Sequence, residues 1–374
     1  MILLIFTITF LYLLLIGSFI YGFDKVEEFK YIETPTKTTF SIIIPFRNEA
    51  ENLPELLQSI LKLEYPVSDF EIIFVNDDSS DASIEIIKTS FDKTKIDFKI
   101  IQNPKTSKSP KKEAITTAIK LTKNDWIITT DADCVLPKHW LESFNSFIYK
   151  RQVNMIVGPV SYSNAYTFLD SFQTLDFLSL IGATIGGFGL KTPFLCNGAN
   201  LAYKKDFFNT LNGFEGNEEI ASGDDIFLLE KAIEKYRNTV LFLKAKEAIV
   251  FTKTQPDFKS LKSQRIRWAS KTTHYKNTFG KLTGLLVLLM NASIICLFLL
   301  TIFDAVNGLL LLIVFLIKMG IDFMLLFKTA TFFNQATLLS RYPISAMLYP
   351  FFSTYIAVLS LFINYKWKDR AYRK

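Results

Sequence analysis

The sequence predicts an α/β domain built on a mostly parallel sheet and held between transmembrane helices at the two ends of the chain. Three observations predict it. Short apolar runs alternate with helical periodicity from residue 39 to about residue 130, uncharged apolar stretches occupy both ends, and acidic clusters recur where the apolar runs stop. Strands separated by helices pair in parallel, and such sheets bind ligands beyond the carboxyl ends of their strands.

Residues 2–22 carry no charge and are long enough to cross a bilayer. A cleaved signal peptide is disfavoured, because no basic segment precedes the run and no small-x-small site precedes Asp24. Residues 1–23 are therefore expected to be a retained anchor. Residues 39–45 form an apolar strand ended by Pro45, and residues 49–63 repeat as a helix through Leu53, Leu56, Leu57, Ile60 and Leu61. A strand at 70–75, a turn at 76–81, a helix at 83–89, a strand at 98–102, a helix at 111–121 and a strand at 126–130 follow. This middle domain is drawn over residues 24–280. Residues 180–190 hold Gly182, Gly186, Gly187 and Gly189, which suits a flexible loop or a segment lying on the membrane.

The C-terminal membrane region, 281–374, is expected to contribute spans near 283–303, 306–327 and 344–364, then a basic tail. The second holds Lys318 and Asp322, four apart on one helical face; at that depth they should pair or line a protein-filled interior. Lys25 and Lys30 after the anchor place the middle domain in the cytosol, at the inner or plasma membrane. Three full crossings would then export the tail at 366–374, so either the Lys318/Asp322 segment or the one containing Pro350 is expected to be re-entrant or interfacial.

Hydrophobic residues make up 49% of the chain and the mean hydropathy is +0.24, with the excess at the ends. The net charge of +6 comes from scattered basic residues, which argues against nucleic acid as a partner. Beside membrane segments, a basic surface faces anionic lipid or phosphate. Cys134, Cys196 and Cys296 lack metal-ligand spacing and cannot all pair with one another, as suits a reducing compartment.

Asp131-x-Asp133 at a strand exit is the sharpest chemical signal. Two carboxylates one residue apart can hold Mg²⁺ or Mn²⁺ and leave positions open for phosphate oxygens. Asp77 and Asp78 close the preceding strand, where a carboxylate can accept a hydrogen bond from a nucleobase; Ser80 or Asp81 would cap the next helix. Asp224 and Asp225 open a helix, which is ordinary dipole pairing, but an acid there can also take a proton from an acceptor hydroxyl. In Gln264-Arg265-Ile266-Arg267-Trp268, arginine can bridge a diphosphate and tryptophan offers a flat face to a sugar. The same segment, with Lys259, Lys262 and Lys271, also suits a basic helix lying on a membrane.

In chain order these pieces resemble glycosyltransferase family 2, the enzymes of GT-A fold, whose sheet is Rossmann-like. The elements are Ser41-Ile-Ile-Ile-Pro45-Phe-Arg-Asn-Glu49, Val75-Asn-Asp77-Asp78-Ser-Ser, Lys112, Asp131-x-Asp133, Asn197-Gly198-Ala-Asn200, Gly223-Asp224-Asp225 and Gln264-x-x-Arg267-Trp268. They cover roughly residues 39–270, and the last resembles the Q-x-x-R-W signature of membrane-bound members. The resemblance implies that Pro45, Glu49 and Asp77 or Asp78 surround uridine, and that Asp131 and Asp133 hold ribose and metal–diphosphate. It further implies Lys112 near the phosphates, Asn197 and Gly198 in substrate binding, Asp224 and Asp225 as the catalytic acids with Asp225 the base, and Gln264, Arg267 and Trp268 closing over diphosphate and acceptor. Two departures stand out: Asp224-Asp225 replaces the usual Glu-Asp, and Asp77-Asp78-Ser79-Ser80 replaces Asp-Asp-Gly-Ser. The tail Trp367-Lys-Asp-Arg370-Ala-Tyr372 resembles an ending of some membrane members, expected in the cytosol.

The expected activity is inverting transfer from a UDP-sugar, with Mg²⁺ or Mn²⁺, to a lipid or glycan acceptor reached from the bilayer. A processive polysaccharide synthase is the alternative, although it would usually need more spans for its channel. An inactive partner subunit would usually have lost the Asp-x-Asp or the base, and both are present here. A nucleotidyltransferase shares paired acids and a metal, but has no use for Gln264-x-x-Arg267-Trp268 beside a membrane.

Overall fold

The computed structural model describes residues 1–35, 37–163, 165–220, 222–363, 365–367 and 370–372. Lys368, Asp369, Arg373 and Lys374 of the basic tail lie outside the described residues. In chain order the elements are α1 (Ile2–Lys25), β1 (Phe40–Phe46), α2 (Leu53–Leu61), β2 (Phe70–Asn76), α3 (Ser83–Phe91), β3 (Asp97–Gln102), α4 (Pro110–Leu121) and β4 (Trp126–Thr129). Then come α5 (Trp140–Lys150), β5 (Met155–Val157), β6 (Val160–Tyr162), α6 (Phe168–Gly189), β7 (Leu201–Lys204), α7 (Lys205–Thr210), α8 (Asp224–Tyr236), β8 (Val240–Phe242) and β9 (Val250–Thr252). The chain closes with α9 (Phe258–Ser270), α10 (Thr278–Ile302), α11 (Gly308–Phe332), α12 (Tyr342–Phe362), β10 (Tyr365–Trp367) and β11 (Arg370–Tyr372).

These elements form two compact units. One comprises residues 27–163 and 195–253; the other comprises 1–26, 164–194 and 254–374. Residues 164–194 and 254–280, drawn with the middle domain from sequence, thus group with the apolar helices.

The first unit holds a seven-stranded sheet in the order β3-β2-β1-β4-β7-β5-β8. All neighbours pair in parallel except β7, which runs against β4 and β5. Ile42, Ile43 and Ile44 are fully buried, because helices cover both faces of a parallel sheet and its central strands read as continuous apolar runs. Register brings the strand ends level: Phe46 pairs with Asn76, and Ile43 with Thr129. The residues that follow β1, β2 and β4 therefore leave the sheet along one rim. Helix α2 starts at Leu53 rather than at residue 49, since residues 47–49 form a rim loop in which Asn48 has φ 50°.

Among the described residues, the second unit contains four helical segments long and apolar enough to cross a membrane: Ile2–Lys25, Thr278–Ile302, Gly308–Phe332 and Ala336–Phe362. Lys318 and Asp322 pair at 2.6 Å within α11, and the Tyr12 hydroxyl of α1 donates to Asp322 at 2.7 Å. Lys318 is 3% exposed, so the pair lies in a protein-lined interior.

Residues 180–190 are not a loop. They end α6, which opens with a capping box between Thr167 and Asp170. Gly186 and Gly189 are there for contact between backbones. A Cβ on Gly22 of α1 would lie 2.2 Å from the Gly186 carbonyl oxygen, and a Cβ on Gly189 would lie 1.8 Å from that of Gly22. Only a pair of helices without side chains at those points can approach so closely. Phe19, Phe194 and Phe279 pack around the same crossing. Farther along, the second half of α12 packs on α9 through Ile356, Phe352 and Leu359 against Ile266 and Ala269, and β10 lies beside α9. All three cysteines are free.

Candidate active site

The rim is assembled from loops pinned to one another by short polar bonds. After β1, the Asn48 amide donates to Ser79 Oγ, the Glu49 amide to Ser83 Oγ and the Ala50 amide to Asp81 Oδ2. Arg47 donates to the carbonyls of Asp77 and Asp78 at 2.7 and 3.0 Å. The β1 and β2 loops are therefore a single structure. Asp81 also accepts from the Ser83 amide, whereas Ser80 bonds Asn48 rather than capping α3.

The two acids after β2 diverge. Asp77 is 6% exposed and accepts from Asn103 Nδ2 at 2.9 Å. Asp78, with φ 65°, points outward and pairs with Lys105 at 2.7 Å; these contacts, Lys105 first, hold its carboxyl below the usual range. Glu49 is buried and accepts from Asn52 Nδ2.

Asp131 and Asp133 follow β4, and Asp225 starts α8 behind Gly223, whose φ of 85° suits glycine. The Thr129 hydroxyl donates to the Gly198 carbonyl at 2.7 Å, and the Gly198 amide donates to Asp225 Oδ2 at 3.2 Å. A Cβ on Gly198 would lie 2.8 Å from Asp224 Oδ2, so no larger residue fits without displacing that acid. Asn197 caps the same turn by accepting from the Ala199 amide. Asn200, fully buried, bonds Trp140 Nε1 and the carbonyls of Pro159 and Ala248, so it braces the turn.

The charge balance fits a divalent cation. Burial first, then the negative charges of Asp131 and Glu49, push the Asp133 carboxyl up to about 6. Crowded carboxylate oxygens at a strand end are the donor set that a hard cation satisfies. Elsewhere in this unit, Glu64, His139 and Glu142 bring three possible ligand atoms within 4.8 Å of one another. There Lys138 already pairs with Glu64, and Tyr31 stacks on the imidazole.

Residues 41–211 match the family model for Glycosyl transferase family 2. The matched stretch is 171 of the 374 residues and runs from β1 to just beyond α7. It is similar to a poly-beta-1,6-N-acetyl-D-glucosamine synthase of Staphylococcus epidermidis, 25% identical over 271 residues, which span 68% of this chain and 61% of that protein. Glycosyltransferase AglE of Haloferax volcanii is 25% identical over 206 residues, 54% of this chain and 63% of AglE. The chain thus spans less than two thirds of the length of these relatives. Among solved structures, the mannosyltransferase PcManGT of Pyrobaculum calidifontis, in complex with GDP-Man and Mn²⁺, aligns over 92% of this chain and 95% of its own. Its TM-score is 0.57 at 17% identity, so what the two share is the GT-A fold.

Of the positions named from sequence, Pro45 is the penultimate residue of β1, and Glu49, Asp77, Asp78, Asp131, Asp133, Asn197, Gly198, Asp224 and Asp225 lie in the strand-end loops or at the α8 start. Lys112 does not join them. It is 2% exposed, donates to the carbonyls of Asn217 and Ile220 at 2.7 and 2.9 Å, and lies over the Phe227 ring. On a helix, adjacent residues face different directions, and it is Lys111 that reaches the acids, 2.5 Å from Asp131 and 3.4 Å from Asp224. Burial opposes its charge, yet Asp131, Asp224 and Asp225 hold the ammonium above the ordinary lysine range. The signal available in the sequence was the Lys-Lys pair at the helix start, which offered two candidates.

Gln264, Arg267 and Trp268 lie on α9 of the helical unit. There Arg265, absent from the family motif, carries the visible chemistry. Its Nε donates to Asp176 of α6 at 2.7 Å, both side chains are buried, and its guanidinium stacks 4.3 Å over the Trp268 ring. Gln264 accepts from Arg265.

Proposed function

We propose that the chain is a membrane-bound, inverting glycosyltransferase that moves a sugar from a UDP-sugar to a hydroxyl of a lipid or short glycan. The observation that carries this reading is the grouping of Asp131, Asp224 and Asp225 around Lys111 at one rim of the sheet. Asp225 accepts the proton of the acceptor hydroxyl as its oxygen attacks the anomeric carbon. The bond from that carbon to the diphosphate oxygen breaks, UDP departs with the bonding electrons, and the sugar stays on the acceptor oxygen with inverted configuration. The Gly198 and Ile226 amides fix both oxygens of Asp225, which orients the carboxylate before substrate arrives. Asp131 and Asp133 would hold Mg²⁺ or Mn²⁺, whose charge offsets that of the departing diphosphate. Asp77, buried and oriented by Asn103, would accept from the uracil beside Pro45 and Glu49. Gln264, Arg267 and Trp268 are assigned to diphosphate and acceptor on their motif alone. The apolar helices would keep the catalytic unit at the cytosolic face of the cell membrane, where a lipid acceptor is at hand.

A processive synthase is the second reading, favoured by the similarity to the poly-N-acetylglucosamine synthase. The test offers the detergent-solubilised protein UDP-sugars and GDP-mannose with Mn²⁺ and membrane lipid, and measures nucleoside diphosphate release and product size. Release that needs one UDP-sugar, lipid and Asp225 supports the first reading. Long products without added lipid support the second. Equal release from Asp225→Asn removes Asp225 as the base.

A further inference from the structure

We propose that Lys111 is a resident counter-ion on Asp131 which a divalent cation must displace, so that metal and nucleoside diphosphate bind together rather than singly. The inference rests on the function proposed above and concerns Lys111, the neighbour of the lysine named from sequence.

Lys111 is the second residue of α4, with its side chain 18% exposed. Its ammonium is 2.5 Å from Asp131 Oδ1 and 3.4 Å from Asp224 Oδ2. It therefore occupies the space between the carboxylate assigned to the metal and the acids assigned to the acceptor. A Cβ on Gly198 would come within 3.5 Å of the same nitrogen, so the ammonium sits against the turn that orients Asp225. The base of α4 is held in place independently. Lys112 ties it to the carbonyls of Asn217 and Ile220, and the exposed Lys108 pairs with Glu219. A change at Lys111 can therefore remove the ammonium without releasing the helix.

A cation in contact with a carboxylate opposes the binding of a second cation there. Close charges of this kind change a carboxylate's affinity for a proton by about ten- to a thousandfold, and the same field acts on a metal. Among the described residues, the ion pairs of Lys111 reach Asp131 and Asp224 and not Asp133. A metal entering at Asp133 thus meets an attractive carboxylate and, at Asp131, an occupied one. A diphosphate changes the balance by giving Lys111 an alternative anion. The ammonium can then turn to a phosphate oxygen, freeing Asp131. Nucleotide should therefore tighten metal binding, and Lys111 should be the reason.

The experiment measures Mn²⁺ binding to the full-length protein in detergent, by electron paramagnetic resonance, with and without UDP. In the parent protein UDP should tighten Mn²⁺ binding. In Lys111→Gln, Mn²⁺ alone should bind at least about tenfold more tightly, and the added effect of UDP should shrink; Lys111→Arg should behave like the parent. Unchanged or weaker Mn²⁺ binding by Lys111→Gln, at an unaltered melting temperature, would overturn the inference. A second measurement needs no variant. Amine labelling read by mass spectrometry should rise at Lys111 when Mn²⁺ alone is added to saturation, and constant labelling overturns displacement. Sugar-transfer assays on the same samples keep the two readings apart. The Mn²⁺ pattern without transfer from any donor supports the role of Lys111 while refuting the proposed activity. Transfer without the pattern does the reverse.

Discussion

Gly189→Ala adds one methyl group at the closest point between α1 and α6. The new Cβ would lie 1.8 Å from the Gly22 carbonyl oxygen and 2.5 Å from its carbon. Those are backbone atoms, so no rotamer change relieves the clash. Bringing the contact out to about 3.4 Å requires the helices to part by about 1.6 Å, and a gap of even 0.5–1 Å forfeits roughly a quarter to a half of each dispersion contact. The Phe19–Phe194 stack, with centroids 5.6 Å apart, spans the same crossing and loosens with it. Overpacking costs about 1–3 kcal/mol; a rigid backbone partner places this case at the upper end, less a few tenths for the better helix propensity of alanine. At about 2–4 °C per kcal/mol for a chain of more than 150 residues, the melting temperature should fall by roughly 4–10 °C. The assay heats the detergent-solubilised protein and follows the monodisperse fraction by size-exclusion chromatography. Gly17→Ala is the control, since a Cβ there meets nothing within 4 Å on the same helix α1. Equal melting of the two variants would refute the reasoning, because it would mean the crossing can open without loss.

Three further outcomes follow from the charges and buried groups. Asp133 is raised from 3.8 to about 6, so the native state binds more protons than the unfolded chain between those values, and its ionisation opposes folding as pH rises through that window. In chelator, Asp133→Asn should therefore be more stable than the parent above pH 6, by about 1–2 kcal/mol after allowance for solvent screening. The difference should vanish toward pH 4 in thermal melts, and a constant difference would contradict the assignment. Lys112→Met leaves the Asn217 and Ile220 carbonyls without their ammonium, which costs about 1–3 kcal/mol. Limited proteolysis near residues 217–223 should quicken in this variant and not in Lys111→Gln. Lys318→Met strands Asp322 in the helical unit and should destabilise by about 3–5 kcal/mol, while Lys318→Met/Asp322→Leu should recover most of it. A double variant no better than the single one would refute the pairing argument.

The sheet was legible because its strands are buried on both faces, so apolar runs such as 40–46 and 70–75 stand out from the periodic helices between them. The position of Asp131 and Asp133 on the rim was legible for the same reason, since a strand end fixes where an acid must emerge. Less legible was anything decided by direction around a helix. Lys111 and Lys112 are equivalent in composition, and only the tertiary position of α4 sends one to the acids and the other to a loop. Helix α6 was misread because glycine signals both freedom and close contact, and its partner α1 lies more than 150 positions away in sequence. The short β7 was missed; four residues running against their neighbours carry too little pattern to register. Arg265 was overshadowed by the motif around it, though its stacking on Trp268 occupies one face of the ring that sequence reasoning reserved for a sugar.

The residue at Gly198 is bonded at both ends: its carbonyl to Thr129, on the strand that delivers Asp131, and its amide to Asp225. On the proposed assignment, leaving-group side and nucleophile side would be two ends of one strut, a single amino acid long. The spacing between them is set during folding, before any sugar is present. Neither can drift alone without breaking a bond that Thr129, 2% exposed, cannot exchange for one to solvent. Under the proposed function, substitutions on either side could change which sugar enters and which hydroxyl receives it, while the span between Asp131 and Asp225 keeps its length.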